Sequence, residues 1–224
     1  MPYKIAGKKR VFVLCLLFGA FLNCAQSQEN TVRPQGIYSS NFVIDGIPRT
    51  INFYIPLQYG RNSNYPVVFI FHAEGETGTA IIKKYGETLH RLADESSSIV
   101  VYPDAVGGHW NTKLDGHAAT DTINDAGFIN IMTGYFIQQY QGDPTRIYAV
   151  GFYNGGSMAL RLSCTSANKI TAVAPFIANL KAAQTACTPG IYFDAEKFMP
   201  PPGKKFSKDA IEAAWKFLMA QKRP

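Results

Sequence analysis

Tyr148-Ala149-Val150-Gly151-Phe152-Tyr153-Asn154-Gly155-Gly156-Ser157 is the stretch that decides how this chain folds. Its first half is apolar and short, as a buried strand is, and its second half leads into Met158-Ala159-Leu160, a helix-forming run. A Gly-x-X-x-Gly turn between strand and helix is the frame of a nucleophile elbow. Small residues at Gly151 and Gly155 let the chain turn sharply and hold the middle side chain outward above a sheet. The middle position calls for serine, or sometimes cysteine or aspartate. Here it holds Tyr153.

Outward from this turn, Arg146 to Gly151 is expected to be a strand and Gly155 to Cys164 a helix, followed by a strand over Ile170 to Phe176. Pro66-Val67-Val68-Phe69-Ile70-Phe71 is wholly apolar, as expected of a central parallel strand, and Ser98 to Tyr102 repeats that pattern. Thr79 to Ala93 and Ile123 to Tyr140 predict helices, the second with Ile129, Met132, Phe136 and Tyr140 at helical spacing. Residues 36 to 55 predict a hairpin, Ile37 to Val43 and Thr50 to Ile55 around an Asp45-Gly46 turn. A closing helix starts at a Ser207 cap and carries Ile211, Trp215 and Leu218 on one face. Thr188 to Lys205, with Pro200-Pro201-Pro202-Gly203, is expected to be a loop within the same domain. Strand and helix alternate after the opening hairpin, which predicts an α/β domain with a mostly parallel sheet.

Composition excludes several classes. With 224 residues, 46% of them hydrophobic and only 17% charged, the chain suffices for one packed core and is not a disordered or low-complexity protein. No repeat of solenoid or propeller period is visible. The net charge of +6 is misleading: Lys4, Lys8, Lys9 and Arg10 lie in a basic leader, and all 16 acidic residues lie beyond it. That leader runs into the apolar stretch Val11 to Leu22 and then Cys24-Ala25-Gln26-Ser27, which predicts a signal peptide over residues 1–27 with Ala25 at −3 and Ser27 at −1. Residues 28–224 are then a single, nearly neutral domain with no nucleic-acid surface and no membrane span, secreted or periplasmic. A lipid anchor on Cys24 is the competing reading, for which Asn23 is a poor neighbour. Beyond the leader only Cys164 and Cys187 remain, an even pair expected to form one disulfide in an oxidising compartment. Two cysteines and scattered histidines show no metal-ligand spacing, and no cofactor is expected.

The ordered motifs resemble those of the secreted esterases grouped as feruloyl esterases and polyhydroxybutyrate depolymerases. Pro66 to His72 resembles that family's strand ending in a His-Gly turn, and Val101-Tyr102-Pro103-Asp104 with Trp110-Asn111 resembles its Tyr-Pro-Asp strand end and Trp-Asn loop. Asn124-Asp125-Ala126-Gly127-Phe128-Ile129 is similar to its Asp-Asp-Val-Gly-Phe-Ile helix start. Asp143-Pro144 through Gly156 is similar to its Asp-Pro-x-Arg-Val-Tyr strand and Gly-x-Ser-Asn-Gly-Gly elbow, and Ala172 to Pro175 and the Cys164/Cys187 pair fit the strand and disulfide that follow. The resemblance covers roughly residues 36 to 190. It implies an α/β-hydrolase-like three-layer sandwich, with the backbone amides of Asn154 and Glu74 at the oxyanion hole and Trp110, His109 and His117 near the substrate mouth.

The departures bear on chemistry. Tyr153 stands at the family's serine position, and His72-Ala73-Glu74 replaces its His-Gly turn. Its acid and base each follow a later strand, yet the chain's four histidines (His72, His90, His109, His117) all precede Tyr153. The sheet is therefore expected to stop after the elbow helix and the next strand. A phenol needs a base or a cationic neighbour to become a nucleophile near neutrality, so Tyr153 is expected to be inactive and to fill acyl-binding space. Ser157 falls inside the following helix and is expected to cap or pack there; Asp194 is a loop aspartate or a relic of the acid. Tyr102, Trp110 and Tyr153 are candidates for an aromatic mouth or for ordinary packing.

Three readings of function follow. The first is an impaired carboxylesterase that retains binding of a small ester, a phenolic, or a polymeric carbohydrate or polyester. The second is an active carboxylesterase using Tyr153 or Ser157. The third is a remnant without function, against which the clean apolar face of the closing helix counts.

Overall fold

The computed structural model describes residues 34–61, 64–112, 122–166, 169–176, 191–201 and 203–224; the predicted leader, His117 and Cys187 lie outside them. Arg33–Pro224 make up one compact unit. The hairpin forms as expected, with β1 (Gly36–Ile44) and β2 (Ile47–Ile55) antiparallel across the Asp45-Gly46 turn, where both residues take positive φ. The order continues β3 (Tyr65–Phe71), α1 (Gly78–Ser96), β4 (Ile99–Pro103), α2 (Asp125–Tyr140), β5 (Gly142–Phe152), α3 (Asn154–Thr165), β6 (Ala172–Phe176) and α4 (Lys208–Met219). Single 3-10 turns lie at Val106–Gly108 and Glu196–Phe198.

The six strands among the described residues form one mixed sheet in the order β1-β2-β4-β3-β5-β6. β2 joins β4 antiparallel, whereas β4, β3, β5 and β6 are mutually parallel. β3 and β4 are buried along their whole length, as the apolar runs predict for strands covered on both faces. One face carries α2 and α3, packed through Phe128, Met132, Phe136, Met158 and Leu162. The other carries α1 and α4, packed through Ile81, Leu89, Ile211, Trp215 and Leu218. The result is the expected three-layer α/β sandwich.

Element ends follow their caps. The Thr77 and Ser207 hydroxyls accept from Ala80 and Ala210 N–H at the starts of α1 and α4. α2 begins at Asp125 rather than Ile123, because the Asn124 side chain accepts from Gly127 N–H and so holds residue 124 outside the helix. β5 begins at Gly142 rather than Arg146, and its pairing with β3 jumps from Tyr65↔Gly142 to Val67↔Ile147. Pro144 has no N–H for the ladder, and Asp143 instead accepts from Thr145 N–H at 2.8 Å and Arg146 Nε at 2.7 Å.

The loop expected over Thr188 to Lys205 needs one correction. Tyr192 forms a parallel bridge with Val173, so Ile191 to Phe193 extends the sheet by one short pairing beyond β6. The hydrogen bonds are Val173 N–H to Ile191 O at 3.0 Å and Phe193 N–H to Val173 O at 2.8 Å. Three residues beside a Pro-rich segment carry too little pattern for a strand to be legible.

Candidate active site

β3 and β5 are neighbours, but the helices that follow them leave onto opposite faces: α1 onto one and α3 onto the other. That change of face makes the C-terminal ends of β3 and β5 a topological switch point, and the crevice outside such strand ends is the usual place for a site in an α/β sheet. The crevice is bounded by the elbow after β5 and by His72-Ala73-Glu74 after β3.

The elbow has the strained geometry its glycines imply. Tyr153 sits at φ 51°, ψ −115°, off the regions open to a bulky L-residue. Its N–H donates to Phe176 O at 2.9 Å, which ties the turn to β6, and its side chain is 43% exposed. A Cβ on Gly155 would lie 2.4 Å from Phe71 O, so only glycine lets α3 start against the end of β3. Ser157 lies in the first turn of α3, where its N–H donates to Tyr153 O at 3.1 Å. The Asn154 and Glu74 amides donate to no other group among the described residues. Ala73 is not among the positive-φ residues, so this departure from a His-Gly turn introduces no backbone strain.

His72 is fully buried and both ring nitrogens are engaged: Nδ1–H donates to Ala73 O at 2.7 Å and Nε2 accepts from Ala105 N–H at 3.0 Å. This pairing fixes the neutral tautomer, and burial lowers the pKa below the usual histidine value. His72 is thus an organiser of the β3 and β4 ends and has no lone pair for a reacting group. His90 is lowered in the same way, by burial; its ring lies flat on Tyr54 at 4.0 Å. The unfolded chain takes up these two protons first as pH falls, so their contribution is expected to drop progressively below about pH 6.5 and level off once the folded imidazoles also titrate. Urea midpoints measured between pH 7.5 and 5 should show it, and His90→Phe, which keeps the stack, should flatten the dependence. An unchanged slope in that variant would remove His90 as a source.

Trp110 is not at an open mouth. It is fully buried, its indole N–H donates to His72 O at 3.1 Å, and its ring packs edge-on against Phe71 at 5.1 Å. Its backbone N–H donates to Asn154 Oδ1 at 2.9 Å, so it braces the elbow from below. Tyr102 is likewise buried, and burial pushes its hydroxyl pKa well up. Of the aromatic mouth proposed from sequence, Tyr153 alone faces solvent. His109 stays at the rim, with Nδ1 3.3 Å from the exposed carboxylate of Glu74. Asp194 is exposed at the end of the Ile191 to Phe193 pairing. Cys164 lies near the end of α3; its expected partner, Cys187, lies outside the described residues.

Sequence reasoning missed the support beneath this crevice. Asn111 N–H donates to Asp125 Oδ2 at 2.8 Å, Asn111 Nδ2 donates to Ile123 O at 2.8 Å, and Arg161 donates to Asn111 O. Asp125 is paired in turn with the buried Arg49. A Trp-Asn pair and an Asn-Asp pair far apart in sequence were the only signal. Two cavities, of about 570 Å³ beside Arg61 and Arg146 and about 180 Å³ beside Pro144 and Arg223, open at the other end of the parallel strands. They play no part in the elbow.

A mostly parallel sheet with an elbow at its C-terminal edge and helices on both faces defines an α/β-hydrolase-type fold. A thermostable esterase of known structure superposes with a TM-score of 0.61 over 84% of this chain and 63% of its own, at 16% identity. No family model matches the chain. It is 28% identical to feruloyl esterase D of Neurospora crassa over 142 residues, 58% of this chain and 46% of that protein. To feruloyl esterase B of Thermothelomyces thermophilus it is 30% identical over 118 residues, 52% of this chain and 40% of that protein. Over these stretches the chain is similar to feruloyl esterases at modest identity, and it spans less than half the length of these curated relatives.

Proposed function

We propose that this chain is an exported esterase relative whose hydrolysis is impaired and whose crevice retains binding of an ester, a phenolic or a polysaccharide. The observation that carries this is Tyr153 in the elbow conformation at φ 51°, ψ −115°. The turn still holds residue 153 outward, with its side chain 43% exposed, but with a phenol in place of a nucleophilic hydroxyl. Residues 154–224 hold no histidine, His72 is held neutral with both nitrogens engaged, and His109 is turned to Glu74. With a phenol for the nucleophile and no imidazole placed as its base among the described residues, the joint catalytic contribution of such a unit is lost. What remains is two backbone amides, that of Asn154 at the start of α3 and that of Glu74 just after β3, suited to an ester carbonyl or a carboxylate oxygen.

Export rests on the leader over residues 1–27, followed by one domain over 28–224. Oxidation of Cys164 with Cys187 would accord with it. Among the described residues no helix is long and apolar enough to cross a membrane.

The deciding assay is hydrolysis of activated and feruloyl esters by the purified chain, with Tyr153→Phe beside it. The expected result is no rate above background from a protein that melts cooperatively. A rate that vanishes in Tyr153→Phe would make the phenol a nucleophile and sink the reading; one that survives would direct attention to Ser157. A chain without cooperative melting would favour a functionless remnant.

A further inference from the structure

The Tyr153 ring leans on Phe206, with centroids 5.5 Å apart. Phe206 is the last residue before the Ser207 cap of α4 and is 5% exposed. It is firmly placed: its ring packs 5.0 Å from both Phe152 and Phe176, and its N–H donates to Tyr85 Oη at 3.3 Å. A base serving residue 153 has to stand beside that residue's side chain and be oriented by a third group. In a nucleophile-elbow fold these groups come in the chain order nucleophile, carboxylate, base. After Tyr153 in the chain, Asp194 follows the pairing beyond β6, and Phe206, further on, packs against the Tyr153 ring.

We propose that position 206 is where a base would serve residue 153, so that two side chains, Tyr153 and Phe206, silence a backbone still arranged for ester hydrolysis, with Asp194 as the carboxylate in line. This rests on the reading of residue 153 as the elbow position. It adds a second site of loss that the sequence did not reveal, because a phenylalanine ahead of a helix cap looks like ordinary packing.

A serine hydroxyl introduced at 153 gives its proton to an imidazole introduced at 206 while its oxygen bonds to the ester carbonyl carbon. Collapse of the tetrahedral adduct breaks the bond to the alcohol oxygen, which takes the imidazolium proton. Water then repeats the sequence, releasing the acid and regenerating the hydroxyl.

The experiment compares the unmodified chain, Tyr153→Ser, Phe206→His and the double variant on 4-nitrophenyl acetate, with thermal melts alongside. General-base catalysis contributes about 10²–10⁴-fold, so the double variant is expected to exceed Tyr153→Ser by at least about 10²-fold. Its rate should rise with pH through about 6.5, and adding Asp194→Asn should lower it. A cooperatively melting double variant no faster than Tyr153→Ser overturns the proposal. Should the double variant fail to fold, Tyr153→Ser/Phe206→Ala decides. Free imidazole, entering the space left by the ring, is expected to speed its labelling by a fluorophosphonate, and no imidazole dependence beyond that of Tyr153→Ser overturns the proposal. The unmodified chain tests impairment separately: its activity counts against that reading, whereas the ratio of double to single variant reports on position 206 alone.

Discussion

Alanine at position 151 or 155 is expected to leave little folded protein. Replacing a glycine by alanine ordinarily stabilises by about 0.4–1 kcal/mol where the backbone allows it, by narrowing the unfolded ensemble. At the elbow the sign reverses, because the added methyl has nowhere to go. On Gly151 it would lie 1.9 Å from Gly155 O and 2.2 Å from the Gly155 carbonyl carbon. On Gly155 it would lie 2.4 Å from Phe71 O and 2.5 Å from His72 O. All four are backbone atoms, so no rotamer change relieves the contact. α3 would have to lift off the ends of β3 and β5, breaking the bond from Tyr153 N–H to Phe176 O and the Asn154 clamp on Trp110. Ordinary overpacking costs about 1–3 kcal/mol, and clashes with fixed backbone should exceed that, approaching the whole stability of a domain of this size. Gly134, inside α2 with nothing within 4 Å of an added Cβ, is the matched control. There alanine should stabilise by about 0.5–1 kcal/mol. Urea denaturation followed by circular dichroism separates the three variants. A Gly155→Ala protein with an unchanged midpoint would mean that α3 does not start against β3 as described.

These two glycines show why the fold was legible. The spacing of Gly151 and Gly155 between an apolar strand and a helix-forming run is a local pattern, and each local choice agrees with the global arrangement. The buried strands β3 and β4 announced themselves by continuous apolar runs for the same reason. What escaped was whatever depends on a partner distant in sequence. Trp110 looked like a mouth residue because a loop aromatic carries no periodicity, whereas its bond to His72 O and its place under Asn154 come from a contact between the ends of β3, β4 and β5. The Ile191 to Phe193 pairing is too short for a two-residue period. Phe206 gave no sign of touching Tyr153, since the meeting of a helix cap with an elbow some fifty residues earlier is a property of the packed sheet edge. The elbow itself was readable, then, while the residues that determine what it can do came from tertiary packing.

The least legible support of the site should also be among the most costly to remove. Arg49, on β2, and Asp125, at the start of α2, are buried together, with side-chain exposures of 2% and 0% and 2.5 Å between Nη2 and Oδ1. The guanidinium also lies 4.4 Å from the centre of the Phe128 ring. Asp125→Ala leaves that cation in the core without its counterion, which costs about 3–5 kcal/mol. It also takes the acceptor from Asn111 N–H, a further loss of about 1 kcal/mol or more for a buried donor. Because desolvation of the unpaired charge dominates, removing both charges should be milder than removing one. In Arg49→Met/Asp125→Asn the carboxamide oxygen still accepts from Asn111 and a flexible apolar chain replaces the guanidinium, so its urea midpoint should lie well above that of Asp125→Ala and closer to that of the unmodified chain. The effect should extend to the crevice. Asn111 adjoins Trp110, and Trp110 holds Asn154, so loosening Asp125 should raise hydrogen exchange at Trp110 and Asn154 before the strands open. Loss of stability without that local exchange would separate the ion pair from the elbow; a loss under about 1 kcal/mol would show that Arg49 finds water or another partner once Asp125 is gone.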